Sequence, residues 1–116
     1  MSIVVISSNP NELVSAIKEK IDNSSIRTWT YDSEGDFSHS PDQWEYKAWF
    51  RPSVMDGKVV FKLIAPINKH LSVQTYGVYH GRFIEMLLSH FDRLFLSASA
   101  SALPSNGDLV KGSAAP

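Results

Sequence analysis

Hydrophobic residues recur along this chain with two different periods, and the switches between them mark the elements. Ile3-Val4-Val5-Ile6 is an unbroken β-branched run closed by Ser7 and Ser8, as expected of a strand central in its sheet or covered on both faces. In Asn9-Pro10-Asn11-Glu12, the asparagine is placed to cap a helix, the proline fits its first position and the glutamate completes a capping box. Leu13, Ile17 and Ile21 then recur every fourth residue beside Val14, so the spacing predicts a helix over 10–22. Residues 26–31, rich in threonine and aromatics, read as a second strand, and 32–43 read as loop by composition.

A hairpin is the best-specified element. Asp56-Gly57 is a strong two-residue type I′ turn signal, and centring the turn there opposes Val54 with Val59, Pro52 with Phe61, Phe50 with Leu63 and Ala48 with Ala65. Every one of those pairs is apolar. Trp44 and Tyr46 extend the same face by period two, while Glu45, Lys47, Trp49, Arg51 and Ser53 fall on the other face with Val60, Lys62 and Ile64. A slip of one residue would bury Arg51 and Lys62, which fixes the register.

Further on, Tyr79, Phe83, Met86, Leu87, Phe91 and Leu94 follow the helical period, widened by Ile84, Leu88 and Phe95 and backed by Arg82, Glu85, Ser89, Asp92 and Arg93. Gly77 and Gly81 lower helix propensity, so the spacing places the helix start between Thr75 and Arg82 and leaves 71–76 open to a short strand. From Ser97 the chain is small, polar and aperiodic, which reads as a frayed helix end and then a flexible tail. The expected organisation is one α+β domain over 1–98 and a polar tail over 99–116. Its fold is a β-α-β-β-β-α sandwich, with a mainly antiparallel sheet of about four strands covered on one face by two helices. That order resembles, in architecture alone, the ferredoxin-like split modules, whose final strand would have to come from the tail; no signature motif carries any residue over.

Composition bounds the partners. With 11 basic and 12 acidic residues the chain has no global field for nucleic acid or anionic membrane, so such a partner needs a local patch. The absence of cysteine excludes disulfides, thiolate metal sites and a cysteine nucleophile, and suits a reducing compartment. Neither a signal-peptide pattern nor a membrane-length apolar run is visible, so the expected location is the cytoplasm, with no membrane partner.

Candidate chemistry is sparse. Asp32, Glu34 and Asp36 have the alternate spacing of a calcium loop, but Phe37 stands where its glycine belongs and Gln43 where its bidentate glutamate belongs, so neither metal nor cofactor is expected. His39 lies near Asp36 in sequence. Ten residues separate His80 from His90, about 15 Å along a helix, so they cannot share a metal. On the helical wheel His90 falls within the apolar stripe, as a core histidine, and His80 at its margin, as the better functional candidate. No nucleotide-binding, zincin or nucleophile-elbow motif is present.

The tryptophan at 49 is the residue that the hairpin alone does not explain. Trp49 with Ile64, rimmed by Lys47, Arg51 and Lys62, has the make-up of an interface hot spot, which favours a non-enzymatic binding module that holds a protein partner or a second copy of itself. The same aromatic and basic residues would suit a single-stranded nucleic-acid platform. A small hydrolase or metal enzyme using His39, Asp36, His80 and Glu85 is the third reading. Against all three stands burial of Trp49 under the chain's own 32–43 loop or its tail.

Overall fold

The computed structural model describes residues 2–67 and 71–102, with the backbone of 109–111 in addition. The elements are β1 (Ser2–Ile6), α1 (Pro10–Asp22), β2 (Trp29–Tyr31), β3 (Phe37–His39), β4 (Trp49–Met55), β5 (Lys58–Pro66), α2 (Val73–His90), β6 (Ser97–Ala100) and β7 (Leu109–Lys111). The class is the expected α+β. The sheet is wider than expected, running β2-β3-β4-β5-β1-β6 with every neighbouring pair antiparallel, while β7 pairs in parallel with Ile64–Pro66 of β5.

The hairpin register follows from its turn. Gly57 takes a φ of 75°, the left-handed region that a two-residue turn demands, and the pairs Val54–Val59, Pro52–Phe61 and Phe50–Leu63 are those set by the apolar alternation. β1 lies beside β5, with Val5 against Val59 and Ile3 against Phe61, so the same face continues across three strands. Leu13 and Ile17 of α1, and Tyr79, Phe83 and Leu87 of α2, share one buried cluster with Ile3, Val5, Phe37, Phe50, Phe61 and Leu63. Both helices therefore cover this one face. Phe83 is the hub: its ring lies 4.8 Å from Phe50, 4.8 Å from Phe61 and 4.9 Å from Trp29.

Several local expectations are corrected. The second strand is only Trp29–Tyr31, and the composition-assigned loop contains β3, whose Phe37, Ser38 and His39 are all buried. Asn9 does not cap α1 with its side chain; Ser7 Oγ instead accepts the Asn9 amide. α2 starts at Val73, so 71–76 is not a strand; Ser72 caps it by accepting the Thr75 amide, and the helix ends at His90 rather than running on past Phe91. Ser97–Ala100 is neither helix end nor tail but the strand beside β1, with Val5 against Ala98. With the β2–β3 hairpin set aside, the remaining order is β-α-β-β-α-β-β, and β6 spans the boundary expected between domain and tail at 98/99. Residues 103–108 and 112–116 of that tail lie outside the described residues. No helix among the described residues is long and apolar enough to cross a membrane.

Glycine chemistry at two sites separates turn from helix. Gly77→Ala, where an added Cβ meets nothing within 4 Å, should stabilise the fold by about 0.5–1 kcal/mol through helix propensity. Gly57→Ala, in equally open space but at positive φ, should cost about 1–2 kcal/mol. Urea denaturation of the two variants checks both signs.

Candidate functional site

Residues 40–48 connect β3 to β4, and this connection builds both of the surfaces on which side-chain chemistry gathers. The Trp44 and Glu45 amides donate to the Pro41 carbonyl and the Lys47 amide donates to the Trp44 carbonyl, so the segment is a compact turn and not an extension of β4. The period-two continuation through Trp44 and Tyr46 is thereby broken. Trp44 packs against the core on the helix side, whereas Tyr46 takes a φ of 58° and stacks on Trp49, with ring centroids 6.4 Å apart at 26°. The turn is pinned from below by Tyr79 of α2, whose hydroxyl donates to the Trp44 carbonyl and lies 3.2 Å from Ser38 Oγ, itself bonded to the Ala48 carbonyl.

On the helix-free face Trp49 is half-buried and Tyr46 is 63% exposed. Arg51 stands beside them, held by carboxylates of the 32–36 loop. Its Nε and Nη2 donate to the two oxygens of Asp36 at 2.8 Å each, and Nη2 also reaches Glu34 at 2.7 Å. Asp36 has a fully buried side chain, so this fork supplies the pairing that a buried carboxylate needs. The carboxylates of Asp36, Glu34 and Asp32 raise the Arg51 pKa above its ordinary value, the Asp36 hydrogen bonds contributing most. The 32–36 loop is shaped for this contact: Asp32 Oδ1 accepts the Glu34 and Asp36 amides, and Gly35 turns the chain at a φ of 81°. The calcium-like spacing is thus turn and ion-pair chemistry. Among the described residues no cluster of three or more acidic or histidine side chains is arranged to hold a metal.

The other predicted members of this face divide. Lys62 is directly opposite Arg51 and half-buried, Lys47 is exposed, and Ile64 is 1% exposed, so it belongs to the interior and not to a contact surface. A small cleft of about 180 Å³ opens beside the aromatic stack, lined by Tyr31, Asp32, Glu45, Tyr46 and Trp49 among others. Sequence reasoning missed Tyr46 on this face, because only the turn at 41–47 sends it there.

The candidate catalytic residues do not converge. Asp36 pairs with Arg51 on the helix-free face, whereas His39 lies opposite Trp29 and contacts the helix-side cluster, its ring 4.7 Å from Trp29. The two histidines of α2 have exchanged their expected roles. His80 is buried in the core at 5.1 Å from the Phe50 ring, its Nδ1 bonded to the Tyr76 carbonyl, while His90 is half-buried at the helix end. The buried stripe of α2 runs through Thr75, Tyr79, His80, Phe83, Met86 and Leu87, and His90 lies outside it.

His39 and Glu85 line one cleft of about 310 Å³, together with Trp29, Trp44, Arg82, Met86 and His90, without a hydrogen bond between them. His39 Nδ1 lies 2.8 Å from the Thr28 carbonyl and must carry the proton to bond it, which leaves Nε2 as the ring's acceptor. Burial lowers the His39 pKa below 6.5, and Arg82 adds to this, against the raising effects of the Thr28 bond and Glu85. No known protein family, curated protein or solved structure matches this chain.

Because the folded state holds His39 neutral, the unfolded chain binds more protons between the lowered pKa and 6.5. Stability should therefore fall as pH drops through that window and level off below it. His39→Gln, which removes the titrating group, should flatten this part of the pH profile of urea midpoints; an unchanged slope would assign it to another group.

Proposed function

We propose that the chain is a non-enzymatic protein-binding module, and that its contact surface is the Tyr46–Trp49 stack on the helix-free face. The observation that carries this is Tyr46 itself: a bulky aromatic at positive φ, 63% exposed, laid flat on a half-buried tryptophan. The left-handed conformation costs a non-glycine residue about 1–2 kcal/mol, and no core packing of the Tyr46 ring offsets it. A rigid, partly exposed aromatic pair is the usual anchor of an interface hot spot. The partner chemistry that suits it is a basic side chain, since the adjoining cleft combines Tyr31, Tyr46 and Trp49 with Asp32 and Glu45. The same carboxylates, with Arg51 neutralised by Asp36 and Glu34, disfavour a nucleic-acid backbone.

The direct test uses the two side chains and a minimal ligand. Trp49→Ala and Tyr46→Ala should each change the thermal midpoint little. N-acetyl-arginine amide should shift the Trp49 indole signal of the parent protein and bind about two- to fivefold tighter than N-acetyl-norleucine amide, the range of an exposed cation–π contact. Equal shifts with the neutral analogue would remove the basic-partner reading. A large fall in midpoint for Trp49→Ala, with no loss of arginine-amide binding, would make the stack a stability element of the chain. Dimerisation abolished by Trp49→Ala, measured by light scattering, would assign the surface to a second copy instead.

A further inference from the structure

The cleft on the helix side of the sheet, between β3 and the C-terminal half of α2, is separate from the Tyr46–Trp49 surface and is not used by it. Its floor is His39, 5% exposed, with Nδ1 committed to Thr28 and Nε2 left as the acceptor of the ring that lines the cleft. At its rim Arg82 gives only Nη1 to Glu85, at 3.2 Å and 3.3 Å, so its Nε and Nη2 donors have no protein partner among the described residues. His90, Ser89 and Gln43 complete the polar lining.

We propose that this cleft binds a phosphate group, free or as the monoester of a small organic molecule. The polar lining sits on three separate segments: His39, which shares a proton with the anion through Nε2, on β3; Gln43 on the 40–48 turn; and Arg82, Ser89 and His90 on α2, where the one lining carboxylate, Glu85, is taken up by Arg82 Nη1. Polar groups lining a cleft from several segments suit a tetrahedral anion with acceptors on all sides, whereas a planar carboxylate is satisfied by one fork. A cleft of about 310 Å³ is at the small end of ligand pockets, and Trp44 with Met86 forms an apolar wall for the remainder of an ester. The proton between His39 Nε2 and the anion arrives with the monoanion (dihydrogen phosphate or a monoester's acid form), or is taken up by His39 from solvent when the dianion binds. No bond to phosphorus is made or broken. The groups facing His39 are the Thr28 carbonyl and Trp29 from the β2 side, uncharged Gln43 and Trp44 from the turn, and Arg82, Glu85 and His90 from α2. A proton shared with a bound anion opposes the burial that holds His39 neutral, so binding should weaken as pH rises.

Titration of the full chain with inorganic phosphate, read from the imidazole nitrogen signals of His39 and His90, tests this. Phosphate should shift the His39 signals saturably, more tightly at about pH 6 than at about pH 8, while acetate at matched ionic strength should not. Arg82→Gln, exposed on α2, should weaken binding about tenfold, the scale of one lost charge-assisted hydrogen bond, and Arg93→Gln, outside the cleft lining, should leave it unchanged. Phenyl phosphate binding more tightly than inorganic phosphate would assign the site to esters; equal binding would assign it to the free anion. An unmoved His39 signal, an equal response to acetate, or equal weakening by the two arginine variants would each overturn the proposal.

Discussion

The Tyr79 hydroxyl is the contact on which both faces of this molecule depend. Its ring is fully buried among Trp29, Phe50 and His39, and its oxygen is the only part that reaches out of that apolar setting, to the Trp44 carbonyl and Ser38. A buried hydroxyl without partners is costly, as are buried carbonyls, so the 40–48 turn is held in the one arrangement that satisfies all of them. Burial raises the Tyr79 pKa above 10.0, which keeps the hydroxyl protonated and able to donate. From that one anchor the turn presents Gln43 and Trp44 to the cleft on the helix side and Tyr46 to Trp49 on the other.

A second constraint keeps the two surfaces chemically distinct. The sheet alternates strictly, so Phe50 and Leu63 face the helices while Trp49 and Arg51 face away. The 32–36 loop then folds onto the outward side and takes up Arg51, leaving a rim of carboxylates around the aromatic stack. On the inward side the rim is the Arg82–Glu85 pair, with the His39 imidazole, its pKa lowered by burial, below it. The two faces thus carry different charged groups, although the chain as a whole is close to neutral.

What was legible in the sequence is what local chemistry determines. The Asp56-Gly57 turn fixed a register in which Phe50 meets Leu63, and the fourfold repeat from Leu13 to Ile21 located α1. The strands that were missed are those whose pairing is non-local: Phe37–His39 is hidden by its polar neighbours and held by Trp29–Tyr31 and Phe50, and Ser97–Ala100 has no hydrophobic period and is defined by β1 alone. The site residues divide the same way. Trp49 was visible because it breaks an alternation, but the capture of Arg51 by Asp36 joins residues fifteen apart through a loop turn that no spacing encodes. His80 and His90 were exchanged because the wheel was centred on the stripe ending at Leu94, whereas the helix begins at Val73 and its buried face is set by Thr75, Tyr79 and His80 as well.

Tyr79→Phe isolates the anchor, since it keeps the ring and deletes only the hydroxyl. The decisive measurement is amide hydrogen exchange in that variant, comparing Trp44, Glu45 and Lys47 in the turn with Val59 and Phe61 in the core. A shared anchor predicts that the turn amides lose nearly all protection while the core amides lose only the global cost of about 1–3 kcal/mol. Equal losses in turn and core, or a turn that keeps its protection, would show that the 40–48 segment holds its shape without Tyr79, and the two surfaces would then have no common support.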